Sequence, residues 1–140
     1  MAKQSIDEGM PSQEYRFFCI NAPVNDYKMC WLINDELGLQ LKRVEDIALE
    51  ENSLQKYSCF RENSDSSISH FLISLKNEKG SIIKDLQQFD YVFGIHGNMN
   101  IMSDENYIAS LTDINNVVYV SKMQNGTRQF ELLRYIMELH

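Results

Sequence analysis

The residues of this 140-residue chain whose types could do chemistry are its histidines, its cysteines and its adjacent carboxylates. His96 is the most suggestive. It stands in Ile95-His96-Gly97-Asn98, where an inner strand runs out into a loop and glycines at 94 and 97 permit close backbone approach. Such a position suits a general base or a ligand-binding imidazole. A base needs an orienting partner, and no acid, nucleophile or second histidine is identifiably paired with it. The stretch therefore reads first as a turn carrying a solvated His96. Cys19, Cys30 and Cys59 could ligate a metal with His70 or His96, but zinc sites declare themselves as close pairs such as C-x-x-C, and the nearest pair here is eleven residues apart. Packing among apolar neighbours is the better reading. Cys59 as a nucleophile would need a lowered pKa and a base beside it. Asp35-Glu36, Glu45-Asp46 and Glu50-Glu51 are poor catalytic dyads, because neighbours on a helix or strand point in different directions. No glycine-rich stretch has the spacing that cradles phosphate. The expectation is a protein without metal, cofactor or catalytic set.

Two binding arrangements are weighed beside that. In a βαβ plan the loops after the first and central strands can lie close together, and Asn21, Asn25, His96 and Asn98 would then converge on a small ligand. The second involves Tyr27 and Trp31, which belong to a broad apolar stretch. If that stretch exceeds what one core can cover, the surplus is a partner surface. The preferred reading places Trp31 in the core.

Size and charge bound the partners. The length is that of one domain, and 44% hydrophobic with 24% charged residues is an ordinary globular balance. Such a chain buries enough surface to need no staples from disulfide or metal. A net charge of −7 repels phosphate backbones and anionic lipid, and the densest basic stretch, Lys42-Arg43, is followed at once by Glu45 and Asp46. Neither nucleic acid nor a membrane is the expected partner. No apolar run approaches membrane-spanning length, and the polar N-terminus lacks a hydrophobic signal core. Three unpaired cysteines suit a reducing compartment, so a cytoplasmic protein is expected.

The elements that must position these residues are legible as runs and caps. Residues 1–13 are polar and read as a flexible leader to a single domain over 14–140. Tyr15 to Ile20 is aromatic-rich and nearly all apolar, a strand covered on both faces, and Pro23 ends it. Asn25 or Asp26 caps a helix in which Tyr27, Cys30, Ile33 and Leu37 share a face, broadened by Met29 and Trp31; Gly38 ends it. Leu39 to Glu51 reads as a short extended piece followed by an irregular segment. Leu54 to Glu62 and Ser67 to Lys76 form a hairpin about a polar turn, with Phe71, Ile73 and Leu75 facing one way and His70 and Leu72 the other. Asp90 to Ile95 is a central strand, Ser103 caps a helix, Val117 to Val120 is a strand, and Thr127 caps a last helix with Phe130, Leu133, Ile136 and Met137 on one side.

The run Ile83 to Tyr91, IKDLQQFDY, resembles the signature of the IPExxxVDY family of small bacterial proteins. Ile83, Asp90 and Tyr91 match, Asp85 replaces a glutamate, Lys84 stands in place of proline and Phe89 in place of valine. Asp26 to Arg43 is similar to that family's first-helix region, an aromatic-basic-x-Cys-Trp segment ending in Leu-Gly-Leu. The resemblance implies no activity, since the family is described by its motif. For the motif itself a structural part is expected: Ile83 pins a connector to the core, Asp85 caps a turn, and Asp90-Tyr91 start the central strand.

The element order predicts an α+β fold: a mainly antiparallel sheet with helices packed on one face, in the split βαβ arrangement of ferredoxin-like and ACT-like domains, plus an extra strand and a C-terminal helix. The expected function is that of a non-enzymatic interaction or scaffold protein, most concretely a homodimer. Its interface would be either the poorly protected strand Ser67 to Lys76 at a sheet edge or the Trp31 helix docked on its counterpart. The alternative is an ACT-like regulatory domain that binds a small ligand.

Overall fold

The computed structural model describes residues 14–48, 56–63, 68–77, 80–97 and 102–139. The leader 1–13, the Glu50-Glu51 pair, the hairpin turn at 64–66 and Asn98 lie outside the described residues.

The chain is α+β, with a six-stranded antiparallel sheet and three helices. β1 (Glu14–Asn21) leads into α1 (Asp26–Leu37). The Asn25 side chain accepts from the Lys28 backbone N–H at 2.8 Å, and Gly38 ends the helix at φ 68°, a left-handed conformation that costs glycine nothing. The next segment forms a two-residue strand, β2 (Lys42–Arg43), and an isolated bridge between Ile47 and Tyr57. β3 (Cys59–Asn63) and β4 (Ile68–Ser74) are the arms of the expected hairpin. A ribbon of β5 (Lys76–Asn77) and β6 (Gly80–Ser81) precedes a short 3-10 turn at Lys84–Leu86. β7 (Tyr91–Gly97), α2 (Asp104–Thr112), β8 (Tyr119–Lys122) and α3 (Arg128–Leu139) complete the chain. Ser103 caps α2 by accepting from Asn106 N–H, and Thr127 Oγ1 does the same for Phe130 N–H at the start of α3.

The strand order is β2-β3-β4-β7-β1-β8. β1 and β4 both run antiparallel to β7 and flank it, while β7 and β8 both run antiparallel to β1 and flank it. Two split βαβ units are thus interleaved, and β3 with β2 extends the sheet beyond them. This is one strand more than the single extra strand expected. The middle strands are apolar on both faces, so both faces demand cover. Phe18, Ile20, Phe60, Leu72 and Phe93 pack beneath α1 and α2. Phe17, Cys19, Phe71, Ile73 and Val92 pack on the other side beneath α3 and the 3-10 turn. The expectation that the helices gather on one face is therefore corrected: α1 and α2 share a face, and α3 takes the opposite one. Phe130, Leu133, Ile136 and Met137 of α3 are all buried there, as their helical spacing predicts.

A second correction concerns the edges. The strand expected to be exposed at an edge, Ser67 to Lys76, supplies β4, which is hydrogen-bonded on both sides by β3 and β7. The edges are β2 and β8. The chain after α1 folds back to form β2 and β3 outside β4, which closes that side. No helix among the described residues is long and apolar enough to cross a membrane.

Candidate functional site

Register builds a chemically mixed cleft of about 310 Å³ on the α3 face. Two adjacent cross-strand rows form its floor. One row runs Arg61, Phe71, Gly94, Phe17 across β3, β4, β7 and β1; the next places Ser69, His96 and Tyr15 side by side. Met137 and Glu138 from the last turn of α3 form the opposite wall. Residues two apart on a strand share a face, so both rows point at α3.

Gly94 is what lets the floor form. A Cβ there would stand 2.0 Å from the ring of Phe71, so the ring lies across the glycine. Phe71 in turn meets Phe17 edge-on at 6.0 Å and carries the Arg61 guanidinium above it at 5.8 Å. In the neighbouring row the His96 ring stacks on Tyr15, with centroids 3.9 Å apart and planes within 2°. Both Arg61 Nε and His96 Nε2 are shielded from solvent and have no hydrogen-bond partner. Burial lowers the His96 pKa below its ordinary 6.5; the Glu138 carboxylate opposes that shift and the Arg61 charge adds to it. Burial likewise raises the Tyr15 phenol, reinforced by Glu138.

His96 is thus a half-buried strand residue, not the solvated turn residue expected. Its supposed companions do not join it. β1 and β7 are antiparallel, with Tyr15 opposite His96 and Ile20 opposite Tyr91, so Asn21 and Asn25 lie at the far end of the sheet. There Asn21 donates to the Gln88 carbonyl and Asn25 caps α1. The convergence of Asn21, Asn25 and His96 on one ligand is overturned by strand direction; Asn98 is outside the described residues. The residues that do surround His96, Arg61, Ser69, Tyr15 and Glu138, escaped sequence reasoning. Strand alternation puts Arg61 and Phe71, or Ser69 and Phe71, on known faces, but only register brings them into adjacent rows.

A larger cleft of about 550 Å³ adjoins this one past Tyr15, around the start of β1. Its charges already satisfy one another. Asp104 holds Arg16 at 3.3 Å and Lys122 at 2.5 Å, and Arg134 pairs with Glu131 at 2.9 Å. Burial pushes the Asp104 carboxyl up, but the hydrogen bonds from Lys122 and Arg16 outweigh it and hold the pKa below the usual value.

The cysteines separate by face. Cys19 and Cys59 lie under α3 and Cys30 lies under α1. Cys59, Ile73, Val92 and Cys19 follow one another across four strands, which separates the two thiols by roughly 14 Å at the usual strand spacing. Burial pushes Cys19 up to about 12 and Cys59 up to about 11, so Cys59 carries the opposite of a nucleophile's shift. Among the described residues no group of three or more His, Cys, Asp or Glu side chains could hold a metal ion.

The second candidate surface is on α1, across the sheet. Trp31 is 64% exposed and Tyr27, one turn before it, is 61% exposed. This corrects the placement of Trp31 in the core and of Tyr27 on the buried face. Met29, Cys30 and Ile33 are the buried residues of the helix, and Trp31 sits roughly 160° around from Ile33 at 3.6 residues per turn. Tyr27 meets Phe60 edge-on at 5.4 Å, and Arg43 stacks over both rings at 5.8 and 5.6 Å. Arg43 also donates to Tyr27 Oη at 3.3 Å and pairs with Asp46.

The signature-like run lies at the end of the sheet away from His96. Ile83 is buried, as expected of a residue that pins the connector. Asp90 immediately precedes β7; its Oδ2 accepts from Ala22 N–H at 2.9 Å and its Oδ1 meets Lys76 Nζ at 3.2 Å. Tyr91 Oη donates to the Val24 carbonyl. Together they tie down the β1–α1 loop. Asp85 does not cap a turn with its side chain; it accepts from Gln129 Nε2 of α3 at 3.2 Å. Compared with known proteins, the chain matches no family model, and no curated protein matches it.

Proposed function

We propose that this protein works by binding and not by catalysis, as an interaction protein that pairs with a second copy of itself through α1. The observation that carries this is the exposed pair Tyr27 and Trp31, with Arg43 stacked on Tyr27. Tryptophan, tyrosine and arginine are the residues that dominate interface energetics, and here Tyr27 and Arg43 are stacked on each other and on Phe60 before any partner arrives. With β4 interior, the helix is the surviving route to the homodimer. A two-fold axis beside α1 would set each aromatic pair against the other and close the assembly. His96 supports a binding role over a catalytic one: its ring is stacked on Tyr15, and its buried Nε2 makes no hydrogen bond to an orienting acid or to a nucleophile among the described residues.

Membership in the IPExxxVDY family belongs to the same proposal. It is supported by Ile83, Asp90 and Tyr91, each of which holds a defined place in the core or the β1–α1 loop. A cytoplasmic setting is supported by three free, buried thiols, and the net charge of −7 disfavours nucleic acid as a partner. Light scattering over a concentration series should report twice 16.4 kDa. Trp31→Glu should return the protein to monomer while leaving its circular dichroism unchanged. A wild-type protein that stays monomeric throughout, or a Trp31→Glu dimer as tight as wild type, would remove the proposal.

A second reading, a regulatory domain of ACT-like type that binds a small ligand, is favoured by one specific observation. Two buried nitrogens, Arg61 Nε and His96 Nε2, lack partners on one cleft. Thermal shift against a metabolite panel tests it, with stabilisation by one compound class as the expected result and a flat response as its refutation.

A further inference from the structure

The cleft under the last turn of α3 differs from the larger cleft beside it in holding a cation with no ion pair among the described residues. Arg16, Lys122 and Arg134 each have a carboxylate within ion-pair distance, whereas no described carboxylate reaches Arg61. Its guanidinium stacks over Phe71, and its Nε is shielded from solvent and has no acceptor. A buried donor left unpaired is destabilising, so a ligand acceptor that reaches it is favoured. A second unpaired nitrogen, His96 Nε2, lies in the adjacent row, and the Ser69 hydroxyl is in register between them. Arginine, serine and histidine side chains line this one cleft, and the acceptor that matches the fork of an arginine without an ion pair is an oxyanion.

The remaining wall narrows the class. Phe71 and Met137 are apolar and border the same space, so the anion has a hydrocarbon body to bury. Glu138 at the mouth disfavours a second negative charge. At about 310 Å³ the cleft is at the lower end of small-molecule sites, which favours a small ligand.

We propose that Arg61, Ser69 and His96 bind the carboxylate of a small organic monoacid, with its apolar body against Phe71 and Met137. This rests on the ligand-binding reading and is independent of the α1 dimer. The groups facing His96 are Tyr15 on β1, Ser69 on β4, Arg61 on β3 and Glu138 on α3. In the free protein burial and Arg61 hold the imidazole neutral near pH 7. A carboxylate seated beside it favours the protonated ring, so binding raises the His96 pKa.

The test uses the full chain, with the histidine ring resonances followed by NMR during titration with sodium propionate, sodium benzoate and inorganic phosphate. Propionate or benzoate should shift the His96 ring saturably at millimolar concentration or below, raise its pKa, and bind more tightly than phosphate. Arg61→Gln should weaken that binding about tenfold or more. Glu138→Gln, a surface change that leaves the core intact, should strengthen it. Trp31→Glu should leave it unchanged even if it abolishes the dimer, so failure here and failure of the dimer proposal are separable. No saturable His96 shift with either acid, equal binding by Arg61→Gln, or equal preference for phosphate would overturn the proposal.

Discussion

On the α1 side of the sheet, Trp31 and Tyr27 stand in solvent above a layer that is complete without them: Phe18, Met29, Ile33 and Phe93 are already fully buried beneath the helices. On the α3 side the situation is reversed. There Arg61 and His96, polar residues that solvent would satisfy, are drawn under a helix and left with unpaired nitrogens. The first surface is apolar where it touches water, and the second is polar where it does not. Both arrangements run against ordinary burial preference, and each points to a different missing complement: a broad apolar surface for α1, a compact acceptor for the cleft. The architecture explains how one small domain carries both. Interleaved βαβ units give a sheet with two independent faces, so neither surface constrains the other.

The two faces should part most sharply in their response to a change at Gly94. Gly94→Ala would drive a methyl into the Phe71 ring, which is walled in by Phe17 and the sheet, and overpacking of this kind costs about 1–3 kcal/mol. The melting temperature should drop accordingly. The Arg61–His96 cleft should lose its shape while the α1 patch keeps its Trp31 fluorescence. A melting temperature equal to wild type would mean that Phe71 does not lie across Gly94.

Acid should come next. His70, stacked on Phe93 and hydrogen-bonded to Glu62 at 3.1 Å, has its pKa lowered chiefly by burial, with the Glu62 contact opposing that shift. His96 is lowered by burial as well. The unfolded chain therefore binds protons that the folded chain refuses. Stability present above the ordinary value of 6.5 is lost as pH falls below it, toward the folded values. Thermal melts between pH 7 and pH 5 should show this slope, and part of it should survive His96→Gln, because the buried His70 is lowered as well. A flat profile would contradict the neutral burial of both rings.

Alkali acts in the opposite sense, on buried groups of both faces. Cys19 and Cys59 on the α3 side titrate far above their ordinary 9.0 because burial disfavours the thiolate. Below 9.0 they contribute nothing to the pH dependence, and as pH rises above it the unfolded chain ionises first and stability falls. Cys19→Ala should lessen that decline. An alkaline profile unchanged by Cys19→Ala would refute the assignment.

The smallest effect on stability should be at Trp31. An exposed side chain removed from the monomer changes folding free energy by within about 0.5 kcal/mol, so Trp31→Ala should melt like wild type under dilute conditions and differ only in self-association. A large loss of monomer stability would place Trp31 in the core after all.

Local features were legible in the sequence because their causes are local. Asn25, Ser103 and Thr127 cap helices with their own side chains, Gly38 adopts the backbone angle for which it is suited, and Phe130, Leu133, Ile136 and Met137 follow one helical stripe. The two-faced burial of β1 and β7 was likewise visible in their unbroken apolar runs, as was the alternation that sends Phe71 and Ile73 to one side and Leu72 to the other. What tertiary structure alone decided is direction, register and surplus. Antiparallel pairing of β1 with β7 sent Asn21 and His96 to opposite ends. Register set Arg61 beside Phe71, Phe71 across Gly94, and His96 against Tyr15, from four strands whose separations in sequence carry no trace of it. Trp31 is the clearest case of surplus. Its chemistry suits a core, but the angular position that the helix assigns it lies outside the arc already filled by Met29, Cys30 and Ile33, and only the packed neighbours determine where that arc ends.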